Sequence, residues 1–173
     1  MIEIKVATTE KDFENAGKFY RAFGNWLEQT YPEIMFFMEP MIKELEIESE
    51  SLQSVYASPT WKLLIATFND QPAGTVGLSD LGDQVCEMRR MFVDASFRGH
   101  DIGRQLAQAI IIEAREMGYK RMELSTGPRH YAALGLYESL GFKDVSPKTN
   151  GAEILENIPA DLARGIVTME LDL

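Results

Sequence analysis

Residues 2–6, IEIKV, alternate apolar and polar side chains, the period of a half-buried strand. Thr9 then opens a helix, with Asp12 three residues on in the capping-box position. Phe13, Ala16, Phe19/Tyr20, Phe23 and Leu27 keep the spacing of one helical face, and Tyr31-Pro32 breaks it. A second helical region covers 33–56, with Ile34, Phe37, Met38, Met41, Ile42 and Leu45 as its apolar positions. Its acidic tail, ELEIESESLQ, reads as a solvated face or a loop. From Trp61 the period changes. WKLLIATFN, AGTVGLSDL and VCEMRRMFV read as three strands, with turns at Asp70-Gln71-Pro72 and Gly82-Asp83, and so as an antiparallel meander.

Ile102 to Met117 is again helical, with Gly118 as its stop. KRMELST is a short strand expected to pair beside the third strand of the meander after a crossover. His130 to Leu140 forms a further helix closed by Gly141, and FKDVS a further strand. Residues 146–163, with Pro147, Gly151 and Pro159, read as a long loop with room for one helical turn, and GIVTMELDL as the final strand. The order β-α-α-β-β-β-α-β-α-β-β predicts a single mixed α/β domain over 1–173.

Composition narrows the function classes. The chain is 45% apolar, enough to bury a core, and carries a formal net charge of −10. A binder of phosphate backbones is normally basic, so nucleic acid is not an expected partner. The acidic surface suits a cationic small molecule, or serves solubility alone. No run reaches the roughly 18 apolar residues of a membrane helix, and the N-terminus lacks a signal-peptide pattern, so a cytoplasmic, membrane-free protein is expected. Cys86 is the only cysteine, which excludes a disulfide within the chain and a thiolate-rich metal site. With only His100 and His130 present, a His-based metal site is not expected either.

The stretch VDASFRGHDIGRQLAQAI, Val93 to Ile110, carries the sharpest chemistry. A helix N-terminus offers unsatisfied N–H groups and the positive end of the helix dipole, which suit phosphate oxygens. Gly99 and Gly103 remove side chains where a ligand approaches the backbone, and Arg98 adds a charge that can fork onto phosphate. The glycine pattern is not a P-loop, which requires Gly-Lys-Ser/Thr.

EMRRMFVDASFRGHDIGRQLAQAIIIEAREMGYKRMELST, followed by AALGLYESLGF, closely resembles the Gcn5-related N-acetyltransferase (GNAT) family. The family pattern Arg/Gln-x-x-Gly-x-Gly/Ala falls on Arg98, Asp101 and Gly103, and Leu136 to Phe142 match its second signature. The strong match covers about 85–145, expected to form the acyl-CoA-binding core, with 1–60 on the acceptor side. The resemblance implies a mostly antiparallel twisted sheet of about seven strands flanked by about four helices. It also implies acetyl transfer from acetyl-CoA to an amine of a small molecule or peptide, directly and through a tetrahedral intermediate. In the family the pantetheine arm pairs with the strand before the cradle, here Met91, Phe92 and Val93, and the thioester carbonyl takes the N–H of Met91. The pyrophosphate is expected on the N–H groups of Arg98, Gly99, His100, Asp101, Ile102, Gly103 and Arg104. No metal is implied, and a homodimer is plausible.

Asp101 departs from the family pattern, which has Gly there. Pointed inward, its carboxylate would repel a pyrophosphate; turned outward, it would cap the helix. Tyr137 falls on the family's general acid, and a tyrosine of pKa near 10 can protonate a thiolate. Glu87 falls where some members keep a general base, though a strand Glu is also met simply solvated or paired, here with Arg89. Strand alternation puts Glu87, Arg89 and Met91 on one face unless a bulge breaks parity. His130 stands where many relatives carry an Asn that contacts the coenzyme A arm; a capping or surface role is open to it. Ser125 and Thr126 are placed to bond the amine or the pantetheine, or serve the turn at Gly127-Pro128. The acceptor pocket is expected from the two N-terminal helices and the loop 146–163, with Tyr31 as its acceptor-facing aromatic. Cys86 reads as a buried small apolar residue rather than a nucleophile. The competing reading is a coenzyme A-binding sensor or partner protein of the same fold, impaired in transfer.

Overall fold

The computed structural model describes residues 1–147 and 159–173. Its elements follow the expected order: β1 (Ile2–Val6), α1 (Glu10–Thr30), α2 (Met35–Val55), β2 (Lys62–Phe68), β3 (Gln71–Gly82), β4 (Val85–Val93), α3 (Ile102–Glu116), β5 (Arg121–Thr126), α4 (Tyr131–Ser139), β6 (Lys143–Asp144) and β7 (Val167–Asp172). One seven-stranded sheet runs in the order β1-β2-β3-β4-β5-β7-β6. Its pairs are antiparallel except β4 with β5, which the α3 crossover makes parallel. Most of the expected loop 146–163 lies outside the described residues.

The sheet is covered on both faces. In β2, Leu63 and Ile65 join the core with α1 and α2, while Leu64 and Ala66 join the core under α3. This is why KLLIATF reads as an unbroken apolar run rather than an alternation. Leu106, Ala107, Ile110 and Ala114 bury the inner face of α3. Each large aliphatic side chain withdrawn this way contributes about 1.5–3 kcal/mol.

Several local expectations are corrected. The acidic tail of α2 is neither a loop nor wholly solvated: it runs on to Val55, helical but for a kink at Ser51, and buries Leu45, Glu48 and Leu52. The first hairpin turns at Asn69-Asp70, not at Asp70-Gln71-Pro72; both residues have positive φ, as a two-residue hairpin turn requires, and Asn and Asp tolerate it. FKDVS shrinks to Lys143–Asp144. Parity along β4 does break. Gly77 pairs with Arg89 and Thr75 with Phe92, so Arg90 and Met91 both stand opposite Val76. Arg90 takes φ 54°, and this bulge ends the shared face that alternation gives Glu87, Arg89 and Met91.

The capping box that opens α1 forms as expected. Asp12 N–H donates to the Thr9 hydroxyl at 3.2 Å, and the Asp12 carboxylate accepts from Thr9 N–H at 3.1 Å. Lys5 of β1 pairs with the same carboxylate at 2.9 Å. Burial alone would raise the Asp12 pKa; Lys5, then the Thr8 and Thr9 N–H groups and the Thr9 hydroxyl, outweigh it and bring it down to about 2. Because the folded pKa lies below the unfolded value, this stabilisation is present above about pH 4 and is lost as pH falls through about 2. Asp12→Asn is expected to cost about 1 kcal/mol at pH 7. Urea unfolding at pH 7 and at pH 2 checks this, with the difference from the parent shrinking at the lower pH.

Candidate functional site

The β4–β5 pair opens into a wedge. Its parallel register holds only at Val85–Arg121, Cys86–Met122 and Glu87–Glu123. Beyond Glu87 the strands part, β4 bending at the Arg90 bulge while β5 continues to Thr126 along β7. The backbone of β4 from Met88 onward therefore has no strand partner on the β5 side. Such an unpaired edge can accept an extended ligand as an added strand.

A cavity of about 590 Å³ fills the wedge. Its floor is Glu87 and Met88 to Met91 of β4, with Leu124, Ser125 and Thr126 of β5. Its roof is apolar but for Glu44 of α2: Phe23 and Leu27 of α1, Ile34, and Phe37, Met38 and Met41 of α2. Tyr137 and Ala133 of α4 close one side and Leu162, Gly165 and Ile166 another. Among the expected site residues, Glu87, Met91, Tyr31, Ser125, Thr126, His130 and Tyr137 all line this one space. Glu87 accepts a hydrogen bond from the Ser79 hydroxyl at 3.2 Å. Tyr137 is buried against Phe142, and burial pushes its pKa above the ordinary value.

Tyr31 is almost wholly buried, and its hydroxyl accepts the Arg129 N–H at 3.0 Å. Gly127 has no room for a side chain there, because a Cβ would run into that hydroxyl. His130 packs among Phe23, Trp26 and Tyr31, and its Nδ1 lies 2.8 Å from the Thr126 hydroxyl. Desolvation brings its pKa down to about 4, so the ring is neutral at pH 7. Cys86 is fully buried on the other face of β4, and burial pushes its thiol up to about 12, which leaves no thiolate for covalent chemistry.

At the top of the wedge stands the N-terminus of α3. Gly99 has φ 82° with open space where a Cβ would be, and Gly103 sits against Val93 and Leu136. Arg98 folds back, donating to the Val93 carbonyl at 3.3 Å with its guanidinium over the Phe92 ring. His100 packs at a tilt against Phe68, ring centroids 4.5 Å apart, and its Nδ1 lies 3.2 Å from the Phe97 carbonyl oxygen. Asp101 does not act as a side-chain cap. It takes φ 64°, a left-handed conformation that suits glycine, and its exposed carboxylate pairs with Arg104 at 3.4 Å. Arg104 also donates to the Ser139 hydroxyl of α4 at 3.1 Å.

The family model described as the Acetyltransferase (GNAT) family matches residues 20–142. The chain belongs to the GNAT family. Among curated relatives, the uncharacterised N-acetyltransferase YjgM of Escherichia coli K12 is 30% identical over 99 residues. That match spans 56% of this chain and 59% of YjgM, less than two thirds of its length. Among solved structures, a GCN5-related N-acetyltransferase from Kribbella flavida superposes with a TM-score of 0.72 at 19% identity, over 99% of this chain and 98% of that one. PaiA N-acetyltransferase from Thermoplasma acidophilum, solved in complex with coenzyme A, gives 0.68 at 18% identity over 100% and 99%. These likenesses show the fold.

Two features of the GNAT chain have no counterpart in the sequence reading. Arg129 reaches from the β5–α4 loop to the Glu33 carboxylate at 2.9 Å, the Thr30 carbonyl at 2.7 Å and Asp161 at 2.6 Å, tying three segments around the cavity rim. Arg89 and Arg90 both pair with Glu48, and Arg90 with Glu44 at 3.2 Å. The adjacent arginines and the i,i+4 glutamates of α2 were signals for the second; nothing local announces the first. Among the described residues no helix is long and apolar enough to cross a membrane, and no group of three or more acidic, His or Cys residues is placed to hold a metal ion.

Proposed function

We propose that this GNAT chain is an acetyl-CoA-dependent N-acetyltransferase that transfers acetyl directly to an amine held in the β4–β5 cavity. The observation that carries this reading is the wedge: an unpaired β4 edge, a glycine-flanked helix start above it, and Glu87 and Tyr137 facing one cavity below. These residues fit the co-substrate. Met91 to Val93 offer edge backbone to a pantetheine arm, and the N–H groups from Gly99 to Arg104 offer a cradle to a pyrophosphate, the Arg98 N–H being turned back to the Ala95 carbonyl. Residues 1–60 then form the acceptor side and 85–145 the acyl-donor side.

Bound acetyl-CoA supplies an activated thioester carbonyl. Met91 N–H, at the bulge, is the donor for the oxygen where negative charge develops. Glu87 takes the proton that the incoming ammonium must lose, directly or through water, and Tyr137 returns a proton to the departing sulfur. Ser125 and Thr126 bond the amine or the pantetheine, and the neutral His130 contacts the coenzyme A arm. Direct transfer is consistent with Cys86, whose thiol is buried and protonated.

The test is thermal unfolding with acetyl-CoA. At about 100 times its dissociation constant the ligand adds about 2.7 kcal/mol of stability. No saturable shift at millimolar ligand sinks the reading. Asp101→Gly sharpens it. The substitution removes a carboxylate beside the cradle and releases Arg104, and glycine fits the left-handed backbone. Because Asp101 is exposed, water screens it, and about 1 kcal/mol at close range corresponds to about fivefold tighter acetyl-CoA binding. Isothermal titration of both proteins measures this; equal affinities mean that Asp101 plays no part in the cradle.

A further inference from the structure

We infer that the acceptor is a small primary amine carried on an apolar or aromatic body, without a carboxylate beside the amine. The inference rests on the transferase reading above and concerns only what fills the acceptor half of the cavity. Its first support is the roof, where Phe23, Leu27, Ile34, Phe37, Met38 and Met41 present an apolar wall, and the one charge that α2 adds to the lining, Glu44, is paired with Arg90. The wall continues outward: Phe37 is 56% exposed at the cavity rim, and Phe36, packed against it, 82%. Exposed aromatic area of this kind, continuous with an enclosed apolar cavity, matches an apolar ligand body.

The second support is charge. Among the described residues, Arg89 and Arg90 are the cations in the cavity wall, and an acceptor carboxylate would need one of them. Both are already held, Arg89 by Glu48 and Arg90 by Glu48 and Glu44. Arg129, at the rim, is held by Glu33 and Asp161. Among the described residues, Glu87 is the cavity-wall carboxylate that no arginine engages, and it lies on the floor at the proposed reaction centre. A cation entering head-first meets Glu87 with its body against the roof. A carboxylate on the same carbon would enter a wall whose arginines are neutralised, and would lose its hydration without a partner.

Thiol release from acetyl-CoA, measured across matched pairs, tests this: phenethylamine with phenylalanine, tryptamine with tryptophan, and spermidine and a short neutral peptide as polar amines. The aromatic amines are expected to exceed their amino acids in kcat/KM by at least about tenfold, the scale of one lost charge partner. They are also expected to exceed the polar amines. Glu44→Gln leaves Arg90 short of one carboxylate and should narrow the gap between tryptamine and tryptophan. Preference for the amino acids, for spermidine or for the peptide overturns the inference, as does a gap that Glu44→Gln leaves unchanged. So does absence of turnover with every aromatic amine in a protein that acetyl-CoA still stabilises. Failure of acetyl-CoA to stabilise the protein is a separate result and strikes the transferase reading itself.

Discussion

Tyr137→Phe is expected to lower kcat by about 10²–10⁴-fold, the usual weight of a positioned proton donor, with acetyl-CoA binding retained. Tyr137 lies on α4, buried against Phe142 with ring centroids 5.7 Å apart, and lines the cavity in the wedge. Phenylalanine keeps that ring contact and loses only the hydroxyl, so packing is preserved while the proton is removed. Burial raises the Tyr137 pKa above its ordinary value, which keeps the hydroxyl protonated throughout neutral and mildly alkaline pH. A donor of this kind imposes no alkaline fall in kcat below about pH 10. The pH–rate profile of the parent and thiol release by the variant provide two independent readings. Unchanged turnover in Y137F removes Tyr137 from the chemistry. Loss of acetyl-CoA binding alongside turnover makes it a packing residue. A parent protein that binds acetyl-CoA but transfers to no amine would revive the sensor reading.

The helices and strands are legible in the sequence because each carries its own local signal. Thr9 and Asp12 cap α1, Gly118 and Gly141 stop α3 and α4, and β4 follows from an alternating segment that starts after the Gly82-Asp83 turn. The convergence of Glu87, Ser125, Thr126 and Tyr137 on one cavity follows from the topology: β4 and β5 are parallel neighbours in the interior of the sheet, and α4 comes directly after β5. What the sequence hides is what distant charge imposes. The alternation of β4 says nothing of a bulge at Arg90, whose backbone sits in a left-handed conformation costing about 1–2 kcal/mol. That cost is met by contacts with α2, some forty residues earlier in the chain. The buried Glu48 was hidden for the same reason: within ELEIESESLQ it looks like one acidic residue among several, and only the two arginines distinguish it. Arg129 and Glu33, 96 residues apart, are likewise joined by the fold alone.

Glu48→Ala is expected to destabilise the protein by about 3–5 kcal/mol, the cost of removing one partner from a buried ion pair. The Glu48 side chain is 11% exposed and those of Arg89 and Arg90 13%, so water cannot replace the lost carboxylate. Glu44 remains, but at 3.9 Å from Arg89 and 58% exposed it satisfies that arginine poorly. In a chain of this size each kcal/mol moves the unfolding midpoint by about 2–4 °C, so a fall of about 6–20 °C is expected. Glu44→Ala is the control: its exposed carboxylate should cost about 1 kcal/mol or less. If Glu48→Ala matches that control, the arginines are solvated and the pair is not structural. The same substitution reaches the site, because Glu48 holds Arg90 at the bulge that parts β4 from β5. Titrating acetyl-CoA into the folded variant at low temperature separates the two effects. Weaker binding by a protein that is still folded would assign Glu48 to keeping the wedge open, whereas unchanged binding would confine it to stability.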